Sequence, residues 1–337
     1  MPVDSPRNRR YFGAVLCAGM LAGGVLRFAG LGNRDFWFDE SCTFIYVHNL
    51  FDWPEDSSLL VESTNLPYYF VLQGWVALFG DSETAYRAMS ALAATLVIPL
   101  LGFLAWRMAG VWAGSICVGL VALNPLHIYY AHEARAYALW TLVLSLALLL
   151  LYEAAKKERW RWWTLYGVVL LFALHLHYFT VYWVPATVAA AFMTDQRARC
   201  LRRWLITTVA VGAGFVPYFF LAVWPAARAG GSAWVAEHWE PLAAIPQTLW
   251  AFLPAGGYPA HLRGLSLASV DTVRFSQSWL IAVTAVVRVG PAIIVVVVSA
   301  LLVRRRWLNQ RGVDPAPRGS SPHSFLAMMT LLPLVLA

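Results

Sequence analysis

The run "LWTLVLSLALLLLY", residues 139–152, is apolar on every side of any helix or strand that could be built from it. A surface element of a soluble domain needs one polar face, so a segment without one belongs in a protein core or a lipid bilayer. Repetition decides between the two. Comparable runs lie at residues 11–31, 84–106, 111–123, 163–177, 178–193, 204–225, 279–303 and 323–337, and only 13% of the chain is charged, against about 25% in soluble domains. Closed barrels need alternating segments of roughly ten residues. The continuous runs therefore predict an all-α, polytopic transmembrane bundle of about nine spans. The pair covering 163–193 must turn near His177.

Basic residues fix the expected orientation, because cytoplasmic loops retain Lys and Arg. With the amino terminus inside, the inner segments hold seventeen basic residues against five acids, a surplus of +12, while the remainder holds eight against thirteen, a net of −5. Every lysine falls inside. The net charge of +7 is thus a signal of topology, and no nucleic-acid partner is implied. Cys17 and Cys117 fall in spans, Cys200 in an inner loop and Cys42 alone outside, so no disulfide framework is available. The chain ends in the apolar run "MTLLPLVLA", which reads as a fragment of a longer protein. The expected organisation is a single domain over residues 1–337, with long outer segments at 32–83 and 226–278.

Three polar clusters fall on the outer side. "FWFDES" places Asp39 and Glu40 side by side after the first span, and adjacent side chains diverge in either regular conformation. Two jobs follow: one acid accepts a proton or holds a cation, and the other anchors its loop. Solvation of the loop by both is the plainer alternative. In "NPLHIYYAHEARAYALW", a helix restarting near His132 would put His132 and Arg135 in its first turn and Glu133 and Tyr137 on one face. Arg135 suits a lipid-linked phosphate, which a guanidinium meets as a fork. An ordinary aromatic belt at the membrane boundary is the alternative. In "HLHYF", His177 is either a metal ligand or a hydrogen-bonded helix end. The stretch "NLPYYFVLQGWVALFGDSETAYRAMS" supplies Tyr68 on an interfacial helix and Arg87 opening the second span. With no outer lysine, an anion on that side must be met by arginines such as Arg27, Arg34, Arg87 or Arg135.

These four stretches, in their order along the chain, resemble the polytopic glycosyltransferases of the GT-C superfamily, in the branch of the dolichyl-phosphate-mannose protein mannosyltransferases and aminoarabinose transferases. The resemblance covers about the first 190 residues. It implies a sugar donor on a polyprenyl phosphate and transfer with inversion to an acceptor hydroxyl of a protein, lipid or glycan, at the extracytoplasmic face of the plasma (inner) membrane. Asp39 falls on the family's acidic position and is expected to be the general base, with Glu40 beside it in a supporting or metal-binding role. Arg135 and Tyr137 match near the donor phosphate, and Arg87 matches the arginine that opens the second span. Glu133, Tyr68, His177 and Tyr178 complete the expected substrate-binding set. A divalent metal ion on Glu40 and His177 is an open reading, as is a site that relies on arginine alone. A transporter or flippase is the rival class, and it would place its polar residues near the membrane midplane.

Overall fold

The computed structural model describes residues 5–50, 64–157, 159–188 and 197–228. These residues are helical and contain no strand. In chain order the helices are α1 (Pro6–Phe28), α2 (Phe38–His48), α3 (Leu66–Phe79), α4 (Glu83–Ala109), α5 (Val111–Ala122), α6 (Pro125–Ala131), α7 (Tyr137–Lys157), α8 (Trp160–Leu176), α9 (Thr180–Thr187), α10 (Arg197–Tyr218) and α11 (Trp224–Arg228), with a π turn at Phe219–Val223 before the last. Among the described residues four helices are long and apolar enough to cross a membrane, or five if α5 and α6 form one bent span. The runs at 279–303 and 323–337, Arg288 and most of the outer segment 226–278 lie outside the described residues.

Local chemistry sets the helix ends. Ser5, Ser82 and Asn124 each accept a backbone N–H from the first turn of α1, α4 and α6, satisfying one of the donors a helix start leaves open. Pro6 and Pro125 occupy first helical positions, where a missing N–H costs nothing. Gly110 alone joins α4 to α5, at φ 90°, a conformation that any side chain would strain.

The core is assembled around α4, which packs on α1, α5, α6, α7 and α3. Lipid tails are as apolar as leucine, so helices in a membrane associate by close packing rather than by exclusion from water. Small residues allow it here. Gly19 and Gly23 face Val118 and Ala122 of α5, and a Cβ on Gly114 would stand 3.0 Å from the Gly102 carbonyl of α4.

One expectation fails between α6 and α7. The helix does not restart at His132: residues 132–136 form a turn, and α7 begins at Tyr137. Glu133 and Tyr137 therefore do not share a helical face. The physical cause is long-range, because the Ala134 amide donates to Glu40 Oε1 (2.9 Å) instead of to a helical carbonyl. Arg27 is corrected as well. It is fully buried, not an outer receptor for anions. Its guanidinium donates to Val121 O (2.8 Å), Ala122 O (2.9 Å) and Gly23 O (2.9 Å), and Nη2 meets His127 Nδ1 at 2.9 Å. It thus satisfies from α1 the carbonyls that α5 leaves open where the chain bends by 54° into α6.

Candidate active site

Asp39 and Glu40 both stand in the first turn of α2, where the helix dipole favours negative charge. About 100° of helical rotation separates them, and their surroundings diverge accordingly. Glu40 points inward and is fully enclosed: Arg87 Nε donates to its Oε1 (2.8 Å), Arg87 Nη2 to its Oε2 (2.6 Å), and the Trp37 amide to its Oε2 (3.4 Å). The remaining Arg87 donors go to the carbonyls of Leu31 (2.8 Å), Arg34 (2.7 Å) and Asp35 (3.0 Å), so all five N–H groups are spent. Its Cζ also lies 5.3 Å over the Phe36 ring. Arg87 is the mould on which the loop after α1 sets, and no donor is left for a substrate anion. Glu40 is saturated in the same way, which leaves it no lone pair directed at a metal ion. Among the described residues no three His, Cys, Asp or Glu side chains cluster as metal ligands.

Asp39 has the opposite character, with 32% of its side chain exposed. Its Oδ2 lies 3.9 Å from Arg135 Nη2, while Arg135 Nη1 donates to the Asp39 carbonyl (3.3 Å) and to Thr43 Oγ1 (3.5 Å). Thr43, one helical turn beyond Asp39, was missed by the sequence reading; its only signal was the four-residue spacing. The turn at 132–136 that carries Arg135 is stitched to the end of α1. His132 Nε2 meets Leu26 O at 3.1 Å, and Arg34 Nη2 donates to His132 O (2.7 Å). Glu133 is buried in the same turn. Burial raises its carboxyl to about 7, against the Tyr129 hydrogen bond and the nearby Arg34, which pull it down.

The chain breaks at His177 as expected, with extended backbone angles after α8. Thr180 Oγ1 holds the break, accepting from Trp140 Nε1 (2.7 Å) and lying 2.8 Å from His177 O and 3.0 Å from Ala173 O. The imidazole stacks on Trp140 (centroids 4.8 Å apart) and lies near the rings of Tyr137 (5.8 Å) and Tyr178 (5.5 Å). Burial lowers its pKa to about 4, and the positive charge of Arg135 adds to the effect. The ring is therefore neutral at neutral pH. The Phe179 amide donates to Nδ1 (3.4 Å), leaving the proton on Nε2. Trp140 and Thr180, the partners that set this ring, were not singled out from the sequence. Tyr68 is enclosed beneath the site, edge-on to Tyr69, with Ser90 and Arg135 as polar neighbours.

Arg135 thus contacts Asp39 directly and acts electrostatically on His177, which ties α2, the 132–136 turn and the α8–α9 break to one end of the bundle. An exposed carboxylate, a guanidinium, a neutral N–H donor and an aromatic wall are brought together there. The family described as dolichyl-phosphate-mannose-protein mannosyltransferase matches residues 66–224, from the start of α3 to the start of α11. The match contains Arg87, Glu133, Arg135 and His177 but begins after α2, so the reading of Asp39 and Glu40 rests on geometry. A search of curated proteins and of solved structures finds no match. Over residues 66–224, a little under half of the chain, the protein is therefore similar to the membrane glycosyltransferases of the GT-C type.

Proposed function

We propose that the chain transfers a sugar from a polyprenyl-phosphate donor to an acceptor hydroxyl, with inversion, at the extracytoplasmic face of the membrane. The observation that carries this reading is the contrast between two neighbouring acids: Asp39 is one-third exposed and 3.9 Å from Arg135, whereas Glu40 is enclosed. An acceptor can reach Asp39. In the reaction, Asp39 takes the hydroxyl proton as the acceptor oxygen bonds to the anomeric carbon from the side opposite the phosphate. The anomeric C–O bond breaks, and its electron pair leaves with the polyprenyl phosphate. Because that leaving group is already a stable anion, no general acid is required. Positive charge and N–H donors near the departing oxygens suffice. Arg135 supplies the charge, and His177 Nε2–H suits a neutral donor beside it. Tyr137, Trp140 and Tyr178 offer an aromatic surface to the sugar and the first lipid units.

The placement of the polar cluster supports an enzyme over a transporter. Asp39, Glu40, Arg87, Glu133, Arg135 and His177 belong to helix starts, a turn and a helix break at one end of the bundle, not to mid-span positions. Incubation of the purified protein with polyprenyl-phosphate hexoses and pentoses tests the reading. Release of polyprenyl phosphate with an inverted anomeric product is expected. A retained configuration would overturn the single displacement, and accelerated transbilayer movement of the donor without transfer would favour a flippase.

A further inference from the structure

Glu133 takes no part in the transfer steps above, and with 2% of the residue exposed it does not meet a substrate directly. It stands two positions before Arg135 in the turn at 132–136, and that turn is anchored on both sides. His132 Nε2 meets Leu26 O at 3.1 Å and Arg34 Nη2 donates to His132 O at 2.7 Å, while the Ala134 amide donates to Glu40 Oε1 at 2.9 Å. The carboxyl is therefore held at a fixed depth beside the guanidinium that faces Asp39.

The charged and titratable groups facing Glu133 are Tyr129 of α6, Arg34 of the segment after α1, Glu40 of α2 and Arg135 of its own turn. Tyr129 hydrogen-bonds the carboxyl, and the two arginines favour its ionised form. Arg34 is engaged on His132 O and Arg135 on Asp39 and Thr43, while the charge of Glu40 is met by Arg87. Burial outweighs these groups and pushes the carboxyl up to about 7. Glu133 thus exchanges its proton near neutral pH, whereas His177 is already neutral there, lowered to about 4, and burial lowers His132 as well.

An anion that settles on Arg135 makes an ionised Glu133 less favourable, because two negative charges then share one poorly hydrated turn. Linkage is reciprocal, so the anion is held more tightly while the carboxyl carries its proton. The group is raised, so the tighter binding is complete below about 7 and is lost as pH rises through that value. A lipid-linked phosphodiester keeps one negative charge across this range, so the change comes from the protein.

We propose that the site takes up the lipid-linked phosphate together with one proton from solvent, and that Glu133 holds this proton. The proposal rests on the donor reading above, and it makes Glu133 a positioning residue that acts on the phosphate through the field around Arg135.

Calorimetric titration of the purified full chain with the methyl phosphodiester of a polyprenol tests it, because this probe has no sugar to transfer. Affinity is expected to fall about fivefold from about pH 6 to about pH 8.5. Just above neutrality, titrations in two buffers of different ionisation enthalpy are expected to show proton uptake on binding. E133Q is expected to keep the acid-side affinity at both pH values and to bind without proton uptake, a change that a purely structural role would not produce. Y129F is expected to move the fall in affinity to higher pH, since it removes the hydrogen bond that favours the carboxylate. Proton uptake retained in E133Q, or wild-type affinity independent of pH, would overturn the proposal and leave the donor reading in place. Failure to bind the phosphodiester at any pH would remove both. If E133Q does not fold, Y129F carries the comparison, and a pH dependence that it leaves unmoved would contradict Glu133 as the proton's site.

Discussion

The guanidinium of Arg87 meets the carboxylate of Glu40 edge to edge, at 2.8 Å and 2.6 Å, with neither side chain exposed. This pair joins the start of α2 to the start of α4, and through the Ala134 amide it also sets the turn that carries Arg135. Breaking a buried pair by removing one partner leaves a desolvated charge behind, at a cost of about 3–5 kcal/mol. E40A and R87A are each expected to lower the thermal stability of the detergent-solubilised protein by that order. E40A/R87M should recover part of the loss, because no charge is left unpaired. Melting curves of the single and double variants check this.

Arg135 has the opposite role. Its contacts to Asp39 and Thr43 are long, at 3.3–3.9 Å, so little of the fold depends on them. R135Q is expected to cost less stability than R87A and to reduce transfer by about 10²–10³-fold, the usual loss when one donor to a developing anion is removed. R135K should recover only part of the rate, since an ammonium cannot meet two phosphate oxygens as a fork. Steady-state kinetics with varied donor concentration measure both.

The two buried titratable groups at the site push the pH dependence of stability in opposite directions. Glu133 is raised from 4.5 to about 7 by burial, so between those values the fold holds a proton that the unfolded chain has released. Its contribution is complete below 4.5 and is lost as pH rises through 7. His177 is lowered from 6.5 to about 4, so the fold excludes a proton that the unfolded chain binds. Its contribution is complete above 6.5 and is lost as pH falls through 4. The trends oppose each other from 4.5 to 6.5. E133Q should expose a stability that rises with pH in that window, and H177N one that falls. Melting temperatures of the two variants across the window check the signs.

Helix packing gives a prediction away from the chemistry. A methyl on Gly114 would stand 2.7 Å from Trp106 Cβ and 3.0 Å from the Gly102 carbonyl, and a backbone oxygen cannot turn aside. G114A is therefore expected to destabilise by about 1–3 kcal/mol. G119A, where a Cβ would meet nothing within 4 Å, serves as the control and should be neutral. Detergent-melting curves of the two variants decide it.

Local sequence carried much of this architecture. The break at His177 and the diverging surroundings of Asp39 and Glu40 follow from short-range rules of helix geometry. What escaped was set by contacts between residues far apart in the chain. Glu40 and Arg87 are 47 positions apart, and Ala134 lies 94 positions beyond Glu40, so nothing near His132 announces that its helix must wait until Tyr137. Arg27 read as an outer cation because it stands near the outer end of the first apolar run. Only the bend between α5 and α6, 94 residues later, supplies the carbonyls that bury it. Arg87 likewise reads as a substrate residue in sequence, whereas its five donors are held by Glu40 and the carbonyls of Leu31, Arg34 and Asp35.

The central claim is that Asp39 performs the proton transfer while Glu40 holds the fold. The direct measurement is sugar transfer from a radiolabelled polyprenyl-phosphate donor by D39N and E40Q, at matched membrane levels and alongside melting curves. The account predicts that D39N keeps the wild-type melting temperature and loses about 10²–10⁴-fold in transfer, whereas E40Q loses stability first. A D39N protein that transfers sugar at the wild-type rate would contradict it.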